Sequence, residues 1–143
     1  MTTVDGPLSG TADTTTYRYN GARERIGTIS PDPDGSGPMK MRAQKVTYDS
    51  HGLVTKVEAG TVNGTSDSDW AAFSSLQEVQ TGYDSYLRPV TQSLVSGGTT
   101  YALTQTSYDA VGRAQCSAQR MNPSAYGSLP SAPPESLRLP WPC

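Results

Sequence analysis

Tyr108-Asp109-Ala110-Val111-Gly112-Arg113 is the stretch on which the reading of this chain turns. An Asp side chain at the start of such a segment can accept hydrogen bonds from backbone amides just beyond it, and Gly supplies the positive φ that closes a reversal. The flanking runs Thr99 to Tyr108 and Arg113 to Ala118 are strand-like, and Ser96-Gly97-Gly98 joins the first of them to another such run, Arg88 to Val95. The segment therefore predicts a meander of three antiparallel strands.

The same motif recurs in degenerate form. Tyr19-Asn20-Gly21-Ala22-Arg23, Tyr48-Asp49-Ser50-His51-Gly52-Leu53 and Tyr83-Asp84-Ser85-Tyr86-Leu87-Arg88 are the other copies. Asn20 replaces Asp and the spacing to Arg23 is altered in the first, Leu53 stands where Arg is expected in the second, and Leu87 replaces Gly in the third. The leading tyrosines are 29, 35 and 25 positions apart, which suits hairpins joined by loops of unequal length better than a strict solenoid. Tyr19, Tyr48, Asp49, Gly52, Tyr83, Asp84, Arg88, Tyr108, Asp109, Gly112 and Arg113 are thus the structural motif residues.

These repeats, with Tyr17-Arg18-Tyr19 leading the first and Asp32-Pro33-Asp34-Gly35 trailing it, resemble the YD repeats of the rearrangement-hotspot (RHS) family over roughly residues 3 to 122. The resemblance implies a segment of a large β-sheet shell that encloses a toxin or other cargo in a secreted or cell-surface protein, with no cofactor and no catalytic residues of its own. It also implies that neighbouring repeats, or other copies pairing through sheet edges, are the partners. Asp32-Pro33-Asp34-Gly35 resembles the Asp-Pro-x-Gly motif that closes the RHS core and near which family members cut themselves. Here three repeats follow it, so it is read as a plain turn.

Around the motifs, the chain is expected to be mainly β, an open twisted sheet of antiparallel hairpins. Thr14 to Tyr19, Arg25 to Ile29, Ala43 to Tyr48 and Leu53 to Glu58 read as strands, the last alternating Leu53, Thr55 and Val57 against Val54 and Lys56. Trp70 and Phe73 at helical spacing after Asp67 and Ser68 predict one short helix near 68–77 whose aromatic side chains plug one side of the sheet. Thr3-Val4-Asp5-Gly6-Pro7 reads as the closing half of a repeat, so the chain is expected to begin in mid-array. Residues 1–122 form the repeat array. Residues 123–143, with Pro123, Pro130, Pro133, Pro134, Pro140 and Pro142, are expected to be an irregular or disordered tail, left by a frameshift, a premature stop or a natural linker and too short for a folded toxin domain.

Composition narrows the functions. Only 34% of the 143 residues are hydrophobic, with one Phe against eight Tyr, so the core is thin and an array of this size is expected to gain from neighbours. Eleven basic and 13 acidic residues are scattered without a basic stripe, which argues against nucleic acid. No apolar run reaches the length of a membrane span, and Met1 to Gly10 shows no export signal. Cys116 and Cys143 suit two free thiols, with a disulfide open in an oxidising compartment. Asp49 and His51, on one turn, lack the partners a triad or metal site needs, and Glu58 and Glu78 form no acid/base pair. A second reading is a carbohydrate-binding or adhesion surface using Tyr17, Tyr19, Tyr48, Tyr83, Tyr86, Tyr101 and Tyr108, although cross-strand packing explains the same tyrosines.

Overall fold

The computed structural model describes residues 1–8, 10, 12–35 and 37–130. Among these described residues, nine strands make one antiparallel sheet in which spatial order follows chain order: β1 (Thr2–Val4), β2 (Thr15–Tyr19), β3 (Arg25–Ile29), β4 (Met41–Tyr48), β5 (Val54–Val62), β6 (Ser74–Tyr83), β7 (Pro89–Ser96), β8 (Thr99–Tyr108) and β9 (Ala114–Arg120). The mainly β, hairpin-built, open sheet expected from the motif repeats is the fold observed. The chain divides into two units, Met1–Glu78 and from Val79 onward.

In the first unit the strand register gathers one face. Arg18 lies opposite Gly27, Gly27 opposite Lys45, Ile29 opposite Ala43, and Ala43 opposite Gly60. Side chains alternate across a strand, so Ile29, Ala43 and Val62 point the same way, and Ile29 and Val62 are each only 1% exposed. Met41, Trp70 and Phe73 pack against this cluster. The two aromatics come from α1 (Asp67–Ala71) and the residues that follow it. Ser66 caps α1 with a capping box: its hydroxyl accepts from the Asp69 amide, while the Asp69 carboxylate accepts from the Ser66 amide.

The helix expected over 68–77 is present but ends at Ala71, and β6 begins at Ser74. The reason lies in the packing. Once Trp70 and Phe73 are seated, with their rings 5.6 Å apart, Gly60 allows the backbone at Ser74 to come so close that a Cβ on Gly60 would lie 2.1 Å from the Ser74 carbonyl oxygen. Gly27 has a matching role under the indole, where a Cβ would lie 2.4 Å from Cη2 of Trp70. Two glycines thus leave the hollows that the plug fills.

A buried arginine fastens the plug. Arg18 Nη1 donates to Asp67 Oδ1 at 2.6 Å and Nη2 to the Thr65 carbonyl at 2.9 Å, while its guanidinium lies 5.4 Å from the Trp70 ring centre. Lys45 Nζ stands 5.8 Å from the Phe73 ring centre. On the same face, Lys56 pairs with Glu58 at 3.2 Å and Glu78 at 3.4 Å. Burial alone would lower the Lys56 pKa, but the two carboxylates outweigh it and raise it.

In the second unit, β7 and β8 are joined by Gly97-Gly98, both at positive φ (55° and 77°), with Ser96 opposite Thr99. This is the two-residue hairpin that a Gly-Gly pair favours. Gln105, 3% exposed, is satisfied on both ends of its amide: Oε1 accepts from Arg120 Nε at 2.7 Å and Nε2 donates to the Pro130 carbonyl at 2.8 Å. At the start of the proline-rich stretch, Pro123–Ser128 forms a 3-10 helix with Asn122 as its cap, and the Tyr126 hydroxyl donates to the Arg120 carbonyl. The rest of the expected tail, residues 131–143, lies outside the described residues.

The two glycine hollows differ in what borders them, and this sets an expectation. At Gly60 the nearest obstacle is the Ser74 backbone, with Phe73 Cζ next at 2.7 Å, so Gly60→Ala should cost about 1–3 kcal/mol in urea unfolding, and Phe73→Leu should not recover it because the carbonyl clash remains. At Gly27 the obstacle is the tip of a side chain, so Gly27→Ala should be recovered in large part by Trp70→Leu. Equal costs, or rescue at both positions, would contradict this account of the plug.

Candidate functional site

The four motif copies build one turn four times. In each, the amide of the Asn or Asp donates to the carbonyl four residues on, and its carbonyl accepts from the amide three residues on: Asn20 with Glu24 and Arg23, Asp49 with Leu53 and Gly52, Asp84 with Arg88 and Leu87, Asp109 with Arg113 and Gly112. The side chain closes the loop from inside. Its Oδ1 accepts from the amides two and four residues ahead, at 2.8 to 3.0 Å in every copy. The fourth residue of the turn takes a positive φ each time: Arg23 66°, Gly52 77°, Leu87 63° and Gly112 86°.

This geometry realigns the first copy. Arg23, taken from the sequence as a displaced motif arginine, stands in the glycine position, and Glu24 stands in the arginine position. The pairing across the turn survives with its polarity reversed. Arg88 Nε and Arg113 Nε donate to Asp84 Oδ2 and Asp109 Oδ2 at 2.8 and 2.7 Å, whereas Asn20 Nδ2 donates to Glu24 Oε2 at 2.6 Å. Asn for Asp and Glu for Arg are therefore a compensated exchange.

A register shift precedes the first, second and fourth turns, between Arg18 and Tyr19, Thr47 and Tyr48, and Ser107 and Tyr108. In each pair the extra residue is on the strand that follows the turn, Ile26, Thr55 and Gln115, and it is that strand which bends. Two motif tyrosines reach onto the hairpin before them: the Tyr48 hydroxyl donates to the Arg25 carbonyl at 3.1 Å, and the Tyr108 hydroxyl to the Pro89 carbonyl at 2.9 Å. Arg25 and Pro89 are each the first residue after a preceding turn. The turns themselves also meet, since a Cβ on Gly52 would lie 3.2 Å from Glu24 Oε1 and one on Gly112 3.7 Å from Arg88 Nη1. Arg88 lies 4.5 Å from the Tyr108 ring centre and 5.0 Å from that of Tyr86. Tyr86, Arg88, Tyr108 and Asp109–Gly112 line an open groove of about 610 Å³.

The carboxylates are committed to the backbone, and their acidity records it. Asp109 is held below the ordinary value of 3.8, foremost by the Arg113 amide and then by its guanidinium, against a smaller cost of burial. Asp84 is lowered chiefly by the Arg88 side chain, and Asp49 chiefly by the Leu53 amide, with His51 adding a smaller share.

Of the residues weighed as chemistry, Glu58 and Glu78 meet on the Lys56 ammonium, whereas His51 and the Asp32–Gly35 turn join no common centre. His51 Nδ1 lies 3.7 Å from Asp49 Oδ2 on an exposed turn. Asp32-Pro33-Asp34-Gly35 is a turn in which Asp32 Oδ1 accepts from the Asp34 amide at 3.2 Å and Gly35 has a φ of 69°. Among the described residues no three His, Cys, Asp or Glu side chains gather as a metal site, and no helix is long and apolar enough to cross a membrane. Cys116 is disulfide-bonded, which corrects the expectation of a free thiol there; Cys143 lies outside the described residues. In comparisons with known proteins, no family model and no curated protein matches the chain.

Two outcomes follow from the turn geometry. Leu87→Gly relieves a branched side chain at positive φ and should raise the melting temperature, whereas Gly112→Val imposes that strain and should cost about 1–3 kcal/mol; the opposite order would refute the shared turn. For pH, carboxylates with lowered folded-state pKa add stability that is present above their unfolded value and is lost as pH falls through the folded one. The urea midpoint should therefore fall as pH drops below about 4. The Asp84→Asn, Asp109→Asn double variant should flatten that fall while keeping the fold, as Asn20 does in the first turn. An unchanged acid limb would remove the carboxylates from the account.

Proposed function

We propose that the chain is a structural segment of a β-hairpin-repeat wall of the RHS/YD type, a sheet that lines or encloses a toxin or other cargo, with no catalytic role of its own. One observation carries the reading: the motif side chains are used up in making and stacking turns. Asp84 and Asp109 are spent on their own backbone and arginine, and the Tyr48 and Tyr108 hydroxyls on the preceding hairpin. A motif that binds only its own chain is what a wall element needs, because each hairpin then carries the means to seat the next.

A carbohydrate or adhesion surface is the second reading, and the groove beside Tyr86 favours it. Tyr86 is 77% exposed beside Tyr108 and Arg88, and an exposed ring offers a face on which a sugar can stack. Glycan-array binding that disappears in Tyr86→Ala would support it.

The wall reading is tested by internal duplication. Repeating residues 84–108 in tandem leaves every junction Tyr-Asp and adds one strand pair with its Gly-Gly turn and one further Asp turn. In an open array each added interface contributes to stability in a nearest-neighbour manner, so the duplicated chain should fold and melt at a higher temperature. Loss of folding, or a lower melting temperature, would mean a closed domain with its own boundary and would end the case for a wall.

A further inference from the structure

Arg88 and Arg113 occupy the same place in their turns and make the same bond to their own aspartate, yet their side chains are 27% and 80% exposed. The difference is what lies over them. Arg88 is covered by the next hairpin, with the Tyr108 ring on its guanidinium, Gly112 beside Nη1 and the Tyr108 hydroxyl on the Pro89 carbonyl one residue further on. The first two turns show the same seat: Glu24 beside Gly52, and the Tyr48 hydroxyl on the Arg25 carbonyl. The seat is therefore general to two pairs of hairpins. Arg113 and the Ala114 carbonyl form it again at β9, the last strand in the sheet order among the described residues.

We infer that Arg113 and the edge of β9 are a docking site for a β-hairpin carrying Tyr-Asp-Xaa-Xaa-Gly. The incoming strand pairs antiparallel with β9, its tyrosine ring lies on the Arg113 guanidinium, its hydroxyl donates to the Ala114 carbonyl, and its glycine, at positive φ, closes the turn beside the arginine tip. The site continues an interface already made inside the chain, which is what fixes the occupant. An arginine face and a strand edge would accept many ligands, but a strand that ends in a tyrosine whose ring covers the guanidinium and whose hydroxyl reaches the next carbonyl is one kind. This rests on the wall reading and adds to it the residues that receive the next hairpin.

The test uses the full chain and a labelled peptide of its own residues 99–120 carrying Cys116→Ser, with binding followed by fluorescence polarisation. Saturable binding should weaken about five- to tenfold in the Arg113→Ala chain, and similarly when the peptide carries Tyr108→Phe. Arg113→Ala should leave the fold intact, since the turns ending in Glu24 and Leu53 close without arginine; circular dichroism checks this. An absence of saturable binding, or binding indifferent to Arg113, overturns the proposal. If the duplicated chain is still stabilised in that case, the wall reading stands and only the docking site falls.

Discussion

A buried donor without an acceptor is costly, and a strand reversal creates several at once. Here one side-chain oxygen per turn accepts from two amides, and the rest of the sheet depends on that closure. It fixes a five-residue loop, places one residue at positive φ, and sets the ends of the strands from which Tyr48 and Tyr108 reach the hairpin before them. The same atom that shapes a turn thereby sets how successive turns meet. Because the bond needs only a carbonyl-like oxygen, Asn20 serves as well as the aspartates, and the motif tolerates degeneration without loss of the fold.

The plug on the first unit solves a different difficulty. A sheet rich in Thr, Gln and Ser has little apolar surface to bury, and Ile29, Ala43 and Val62 alone make a small cluster. Trp70 and Phe73 supply the missing bulk from a short capped helix, and Gly27 and Gly60 give them room. Arg18 closes the arrangement by reaching a carboxylate and a carbonyl on the connection while its flat face lies on the indole. Dispersion and cation–π attraction replace what a larger aliphatic core would provide.

Much of this was legible in the residues. Tyr-Asp-x-x-Gly-Arg announces a turn through its chemistry, the Gly97-Gly98 hairpin through its glycines, and the plug through Trp70 and Phe73 after polar capping residues. β6 was not legible, because Ser74-Ser75-Leu76-Gln77-Glu78 has neither β-branched residues nor clean alternation, and its path is set by the close approach at Gly60. The role of Glu24 was hidden as well. A reversed donor and acceptor leaves the geometry unchanged but erases the motif letter by which it would be found. The groove by Tyr86 and the stacked seat of Arg88 depend on the spatial neighbourhood of turns more than twenty residues apart, which a linear motif does not encode.

The central claim is that one hydrogen-bonded turn, made four times, organises the sheet. Native-state hydrogen exchange at the amides of Glu24, Leu53, Arg88 and Arg113 tests it most directly, since each donates to the side chain that opens its own turn. All four should exchange slowly, and each should lose its protection when Asn20, Asp49, Asp84 or Asp109 in the same turn is replaced by Ala. Exchange at these amides as fast as in the loop of residues 30–40, or protection indifferent to those replacements, would contradict the account.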